Sequence, residues 1–165
     1  MCRCALSPPI NTFSFQISLI DGGVKRFFAK GAKTMISSRG RYALRVMIDL
    51  ARQNSDGYVP LKEIAERQGI SKKYLEIIAK ELVNAKLLKG VSGKGGGYRL
   101  SRKPEEYPVG EILDVMANSM AVVSCLENGA EVCPRAAECD TLPMWSELNQ
   151  LIHDFLYNKK LSDLI

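Results

Sequence analysis

The chain has 165 residues and a mass of 18.3 kDa, enough for one domain whose hydrophobic core needs no metal or disulfide to form. Hydrophobic residues make up 46% and charged residues 25%. Because no apolar run approaches the roughly 20 residues that cross a bilayer, the composition excludes a membrane-spanning protein. The formal net charge of +5 is unevenly distributed along the chain.

The charges divide the chain into three parts. Residues 1–34 carry five basic and one acidic side chain (net +4), and residues 35–103 carry fifteen basic and six acidic side chains (net +9). Residues 104–165 carry three basic and eleven acidic side chains (net −8). Only the middle part therefore has the charge expected of a polyanion-binding surface.

The first part, residues 1–34, shows no helical or strand periodicity. It has two early cysteines and a double proline, and it lacks the continuous apolar stretch and cleavage site of an export signal. We expect Met35 to be the natural start, residues 1–34 to be a disordered leader or non-native extension, and the protein to be cytoplasmic.

The middle part opens with a predicted helix from Ser37 that ends before Asn54. Its apolar residues recur at helical spacing: Ala43, Val46, Met47, Leu50 and Ala51. A short helix then begins at Leu61 and is broken by Gly69, and Ser71 caps a third helix running from Lys72 to about Ala85. Two helices joined by a tight turn, the second opening with lysines, are typical of a helix-turn-helix.

The residues after the third helix predict a β-hairpin. Two short strands flank a glycine-rich tip, residues 93–97, that contains Lys94. Glycines allow such a tip to approach a phosphate backbone closely. A nucleotide-binding loop is the rival interpretation, but it requires a helix after the glycines, and here a strand follows at Tyr98. The sequence thus predicts a winged helix-turn-helix at residues 35–103.

The acidic part, residues 104–165, begins with a short predicted helix after Pro108 and then carries three cysteines. Cys125, Cys133 and Cys139 are spaced C-x7-C-x5-C in a segment that contains Gly129 and Pro134, flexible enough for three sulfurs to converge. The spacing leaves open disulfides, a structural zinc, an iron–sulfur cluster or unreactive thiols. No thiol has a histidine partner in the sequence, so the pattern does not indicate a cysteine enzyme.

Several motifs in this order resemble the IscR/NsrR branch of the Rrf2 family of bacterial transcription regulators. The motifs are residues 38–44, Ile64-Ala65, Ile70-Ser71, residues 74–76, residues 95–98, residues 109–112, and the three-cysteine loop followed by Trp145. The resemblance covers essentially all of residues 35–165. It implies a homodimeric repressor or activator, without a small-molecule substrate, that binds double-stranded operator DNA.

The resemblance also implies an iron–sulfur cluster on Cys125, Cys133 and Cys139, of the 2Fe-2S type in preference to 4Fe-4S. The cluster would report iron–sulfur status, redox stress or nitric oxide. At positions where members of the branch carry further ligands, this chain has Leu142 and Arg41. A cluster-free regulator that senses thiol oxidation or a partner protein, or a zinc-stabilised regulator, remains the alternative.

In this interpretation the start of the third helix enters the major groove, and basic side chains bind phosphates. The expected DNA-binding residues are Arg39, Arg41, Lys72, Lys73, Tyr74, Glu76, Ile77, Lys94, Gly95, Gly96, Tyr98 and Arg99.

A last helix from about Leu142 carries Trp145, Leu148, Ile152 and Phe155 at the spacing of a coiled-coil seam, widened by Leu151 and Leu156. The spacing alone also allows an intramolecular core helix; the resemblance favours a dimer helix. The predicted fold is therefore mainly α, with a small hairpin and a long C-terminal dimerisation helix.

Overall fold

The structure is a computed structural model, and it describes residues 35–53, 57–93, 95–117 and 119–165. Five helices and one two-stranded hairpin make up most of these residues. The elements are α1 (Ser38–Gln53), α2 (Leu61–Gln68), α3 (Lys72–Asn84), β1 (Leu88–Val91), β2 (Gly97–Leu100), α4 (Val109–Met116) and α5 (Leu142–Asn158). This confirms the predicted mainly helical fold with one hairpin. The prediction for residues 1–34 lies outside the described residues. Within them, no helix is long and apolar enough to cross a membrane.

The main core lies between α1, α2, α3 and the base of the hairpin. Its fully buried side chains include Met47, Ile64, Leu75, Ile78 and Leu82, which belong to the apolar stripes predicted for the first three helices. Helical spacing brings each stripe onto one face, so the three helices bury a common centre and leave their charged faces outside.

A smaller core joins α4 to α5 and to α1. Val109, Leu113 and Leu156 are buried in it, and Ile152 packs against them. Tyr157 of α5 lies flat on Gly110, where an added Cβ would come within 2.4 Å of the ring. Because α4 packs extensively on α1, the core continues across residue 103, where the sequence analysis divides the chain; that division stays a prediction.

Tyr107 connects the hairpin to the C-terminal part of the chain. Its fully buried hydroxyl accepts hydrogen bonds from the backbone N–H groups of Ser101 and Arg102, both at 2.8 Å, and donates to the carbonyl of Leu87 at 2.9 Å. Its own carbonyl accepts from the N–H of Leu161 at 2.9 Å. One residue thus fixes the hairpin base against the chain that follows α5.

A buried ion pair ties α2 to α1. Asp49 accepts hydrogen bonds from Arg67 (Nη2 to Oδ2, 2.8 Å; Nε to Oδ1, 3.1 Å) and from Gln68 (Nε2 to Oδ1, 2.9 Å). Burial by itself would raise the pKa of Asp49, but the hydrogen bonds from Arg67 and Gln68 and the charge of Arg67 outweigh burial and hold this pKa below its ordinary value.

The Asp49→Asn variant should lose about 1–3 kcal/mol of unfolding free energy near neutral pH, because Arg67 loses its charged acceptor. A depressed carboxyl pKa contributes stability above the unfolded pKa of about 3.9, and that stability is lost as the pH falls through the folded pKa. Urea unfolding should therefore show a smaller difference in unfolding free energy between variant and wild type at pH 3 than at pH 7. Asp154→Asn, at an exposed position of α5, is the control. A loss of unfolding free energy in Asp49→Asn that is the same at both pH values would contradict the prediction.

Candidate nucleic-acid interface and cysteine segment

The turn between α2 and α3 presents the start of α3 to solvent. Gly69 ends α2 in the left-handed conformation (φ 63°), and the Ser71 hydroxyl accepts a hydrogen bond from the backbone N–H of Tyr74 at 3.4 Å. With Leu75 and Ile78 buried, the opposite side of α3 stays exposed. That side carries Lys72, Lys73, Glu76, Ile77 and Lys80.

The exposed face of α3 combines lysines with an apolar side chain. Lys72 and Glu76 form an ion pair along the helix with Nζ and Oε1 3.8 Å apart, whereas Lys73 forms no ion pair with a described residue. Ile77 is 48% exposed, which is unusual for a large apolar side chain without a partner. Tyr74 is half-buried and packs edge-on against Tyr42, with ring centroids 5.8 Å apart. Positive charge and the helix N-terminus both favour an anion here.

The hairpin lies beside α3, and a groove of about 340 Å³ separates them. The groove is lined by Glu76, Lys80, Val83, Asn84, Gly90, Val91, Ser92 and Tyr98. At the tip, Gly93 (φ 101°) and Gly95 (φ 78°) adopt backbone conformations that favour glycine. Gly96 lies so close to the carbonyl of Val91 that a Cβ would meet it at 2.3 Å. Lys94, predicted at this tip, lies outside the described residues.

The two predicted residues on β2 lie on opposite faces of the hairpin. Tyr98 is half-buried, packs against the core and also lines the groove beside α3. The guanidinium of Arg99 lies 4.9 Å from the ring centroid of Tyr58 on the other face.

The two predicted arginines of α1 differ in their surroundings. Arg39 forms an ion pair with Glu81 of α3, so its charge is already engaged inside the chain. Arg41 is exposed and donates a hydrogen bond to the Ser38 hydroxyl at 3.1 Å. Sequence reasoning missed the Arg39–Glu81 contact because the two residues are 42 positions apart and no local pattern links them.

The three cysteines are unbridged and lie on short turns between α4 and α5. Cys125 is exposed in a single 3-10 turn, Cys133 is half-buried in the following loop, and Cys139 is half-buried after a second 3-10 turn. Among the described residues, no three His, Cys, Asp or Glu side chains form a group that could hold a metal ion. The convergence of sulfurs expected from the sequence is therefore not preassembled in the single chain.

Cys139 lies next to a hydroxyl group. Its Sγ lies 3.5 Å from the Oγ1 of Thr141, and hydrogen bonding to Thr141 lowers the pKa of this thiol against the opposing effects of burial and of Asp140. Leu142, at the position of a histidine in the IscR branch, begins α5. His153 stacks on Tyr157 with ring centroids 4.3 Å apart.

The last helix presents two apolar faces. Leu156 and Ile152 face the smaller core, whereas Met144, Leu148, Leu151 and Phe155 are 39–62% exposed. The exposed set is offset from the predicted seam, because Ile152 packs against the smaller core of the same chain. Its spacing of four, three and four residues still follows one side of a helix.

A helix-turn-helix with an exposed, lysine-bearing third helix and a glycine-tipped hairpin beside it defines a winged-helix transcription regulator. Comparison with known proteins agrees with this class. The sequence profile described as "Rrf2: Iron-dependent Transcriptional regulator" matches residues 36–165. The chain belongs to the Rrf2 family, which confirms the resemblance noted from its motifs.

Individual relatives cover most of the chain. The HTH-type transcriptional regulator IscR of Aliivibrio salmonicida is 40% identical over 130 residues, which are 79% of this chain and 76% of that protein. The structure of T. potens IscR matches with a TM-score of 0.59 and 35% identity, over 78% of this chain and 84% of that one. CymR of B. subtilis, described as the global cysteine regulator, matches with a TM-score of 0.62 and 32% identity, over 78% and 94% of the two chains.

Proposed function

We propose that this protein is a cytoplasmic, homodimeric transcription repressor of a bacterium, whose operator affinity is controlled by an iron–sulfur cluster on Cys125, Cys133 and Cys139. The observation that carries the proposal is the presence of three unbridged thiols on one segment of an Rrf2-family chain. Thiolates are the ligands that iron–sulfur clusters take, so the donor set fits the group. The resemblance to the IscR/NsrR branch favours 2Fe-2S over 4Fe-4S. When bound, the cluster would supply redox and nitric-oxide sensitivity.

Operator binding is assigned to the exposed face of α3 and to the hairpin. Side chains at the start of α3 would read base edges in the major groove, and the tip would approach the backbone of the adjacent minor groove. The proposed contacts are Arg41, Lys72, Lys73, Tyr74, Glu76, Ile77, Lys94, Gly95, Gly96, Tyr98 and Arg99. Arg39 completes the proposed set, although its ion pair with Glu81 already engages part of its charge.

Dimerisation is assigned to the exposed apolar side of α5. Four large side chains in one row, Met144, Leu148, Leu151 and Phe155, form a patch of the kind that marks protein interfaces. A two-fold dimer through α5 would place two α3 helices for half-sites about 34 Å apart on one side of the duplex.

The cysteine segment has a physical route to α3. Ser124, next to Cys125, and Arg39 line the same cavity of about 370 Å³, which is also bordered by the end of α4. Arg39 pairs in turn with Glu81 of α3. A change in the position of residues 119–127 would therefore act on the α1–α3 ion pair and bias the position of the DNA-binding helix.

The proposal is tested by anaerobic purification followed by iron and sulfide analysis, visible absorption and an electrophoretic shift assay. Wild type should contain iron and sulfide and should bind operator differently with and without them. The triple variant Cys125→Ala, Cys133→Ala, Cys139→Ala should lose the absorbance while staying folded.

The matched control is Cys2→Ala with Cys4→Ala, which removes thiols outside the proposed set and should leave the absorbance intact. A colourless wild type with stoichiometric zinc would refute the cluster. Equal DNA affinity of the protein with and without iron and sulfide would refute the regulatory role of the cluster. A colourless, metal-free protein whose DNA affinity responds to thiol oxidation would favour the cluster-free alternative.

A further inference from the structure

The face of the hairpin turned away from α3 is basic. Strand register pairs Gly90 with Tyr98 and Lys89 with Arg99. Paired residues share a face, and successive residues alternate between faces. Since Gly90 and Tyr98 line the groove beside α3, Lys89 and Arg99 belong to the opposite face, which we call the outer face.

The outer face forms one wall of a cleft of about 520 Å³. The other walls come from the end of α1, the segment before α2 and residues 101–106. Among the described residues that line the cleft, four are cationic and one is a carboxylate: Lys89, Arg99, Arg102 and Lys103, with Glu106. No sequence motif predicts this cleft, because its residues come from both strands and from the chain beyond them.

Two of the four cations are only weakly compensated. Arg102 is neutralised by Glu111, with both carboxylate oxygens 2.8 Å from its Nη2. Lys89 and Lys103 form no ion pair with a described residue, and both are exposed. Lys89 also lies directly opposite Arg99, and like charges in that arrangement destabilise a strand pair. An anion in the cleft would relieve that repulsion.

We propose that the outer face binds the phosphate backbone of DNA that flanks the operator core, through Lys89 and Lys103. The inference rests on the proposed DNA-binding function, which it extends to residues outside the set assigned above. A duplex that meets α3 on one side of the hairpin and the glycine tip at its end continues past the other side, where these lysines lie. Lysine holds phosphate as a point charge without base preference, as backbone contacts require.

The distribution of charge favours a backbone over a small anion. The two lysines lie on different segments, one on β1 and one after β2, and both line the cleft. A site for one small anion would be expected to aim several donors at one point, whereas a polyanion track spaces them out.

The test compares two duplexes that share an operator core selected from a random-sequence library. One ends at the core, and the other extends about 10 base pairs, one helical turn, beyond it on each side. The full chain with Lys89→Gln and Lys103→Gln is compared with wild type and with the matched control Lys86→Gln with Lys159→Gln, which removes equal charge at exposed positions outside the cleft.

On the long duplex, the cleft variant should bind about tenfold or more weakly, and its slope of log K against log salt should be lower by about 2 per chain. On the core duplex, it should match wild type and the control. If the cleft variant loses the same affinity on both duplexes, or loses none on either, the contact with flanking DNA is refuted while the proposed DNA-binding function stands.

Two further results would also overturn it. Inorganic phosphate that binds wild type but not the cleft variant, without any effect of duplex length, would assign the cleft to a small anion. A wild type that binds neither duplex would refute the proposed function together with this contact.

Discussion

Replacing Tyr107 by Phe should lower the free energy of unfolding by about 2–4 kcal/mol, although the substitution removes a single oxygen atom. That oxygen serves two backbone N–H groups and one carbonyl in a position that water does not reach. Leaving a buried backbone group without its partner costs about 1–3 kcal/mol. The N–H of Arg102 loses its acceptor, whereas Ser101 keeps a second one in the carbonyl of Leu87 at 3.2 Å.

Chemical unfolding followed by circular dichroism measures this loss, and Tyr58→Phe is the control. Tyr58 is half-buried, and the ring that Arg99 covers is retained in the variant. The control should stay within about 0.5 kcal/mol of wild type. A Tyr107→Phe protein as stable as wild type would mean that the three hydrogen bonds contribute nothing net.

The position of Tyr107 also couples the two halves of the chain. It fixes the hairpin base on one side, and on the other its carbonyl holds Leu161 beyond α5, while Val109 donates to the carbonyl of Lys159 at 2.8 Å. A short path of hydrogen bonds therefore connects the end of α5 to the base of the hairpin. This path joins the acidic C-terminal part to the basic middle part even though their charges are opposite.

Helical periodicity predicted α1, α2 and α3 well, because each buries a single stripe against a common core. The glycine-rich tip predicted the hairpin, since glycine marks local backbone geometry. Tyr107 and the Asp49–Arg67 pair could not be predicted this way. Both depend on partners 5 to 20 positions away, and a lone tyrosine or aspartate in the sequence looks the same whether it is buried or exposed.

The candidate sites were predicted less completely than the fold. The seam on α5 stays a prediction, because periodicity cannot tell which of two adjacent apolar rows the chain itself covers; Ile152 of that seam packs against the smaller core. Cysteine spacing indicated that three sulfurs can meet but carries no information on whether they do so in the isolated chain. The ion pair of Arg39 with Glu81 could not be predicted, because Glu81 lies in another helix; the phosphate contact of Arg39 stays a prediction.

The glycines of the hairpin have different roles, and Gly97→Ala should be far more costly than Gly95→Ala. A Cβ at Gly97 would lie 2.3 Å from the carbonyl oxygen of Val59 and 2.8 Å from the nitrogen of Pro60, both backbone atoms. They cannot retreat, because Val59 and Tyr98 exchange two backbone hydrogen bonds of 2.9 Å. We expect a loss of roughly 3 kcal/mol and weaker operator binding, since the hairpin would be displaced from the start of α2.

Gly95→Ala is the matched control for this prediction, since it adds the same methyl group at the tip of the same hairpin. Nothing lies within 4 Å of a Cβ at Gly95, so the cost should come from its positive φ of 78° alone, about 1 kcal/mol. Unfolding free energies of the two variants separate the effects. Equal losses would contradict the prediction, because they would show that the close approach to Val59 adds nothing to the cost of a methyl group at position 97.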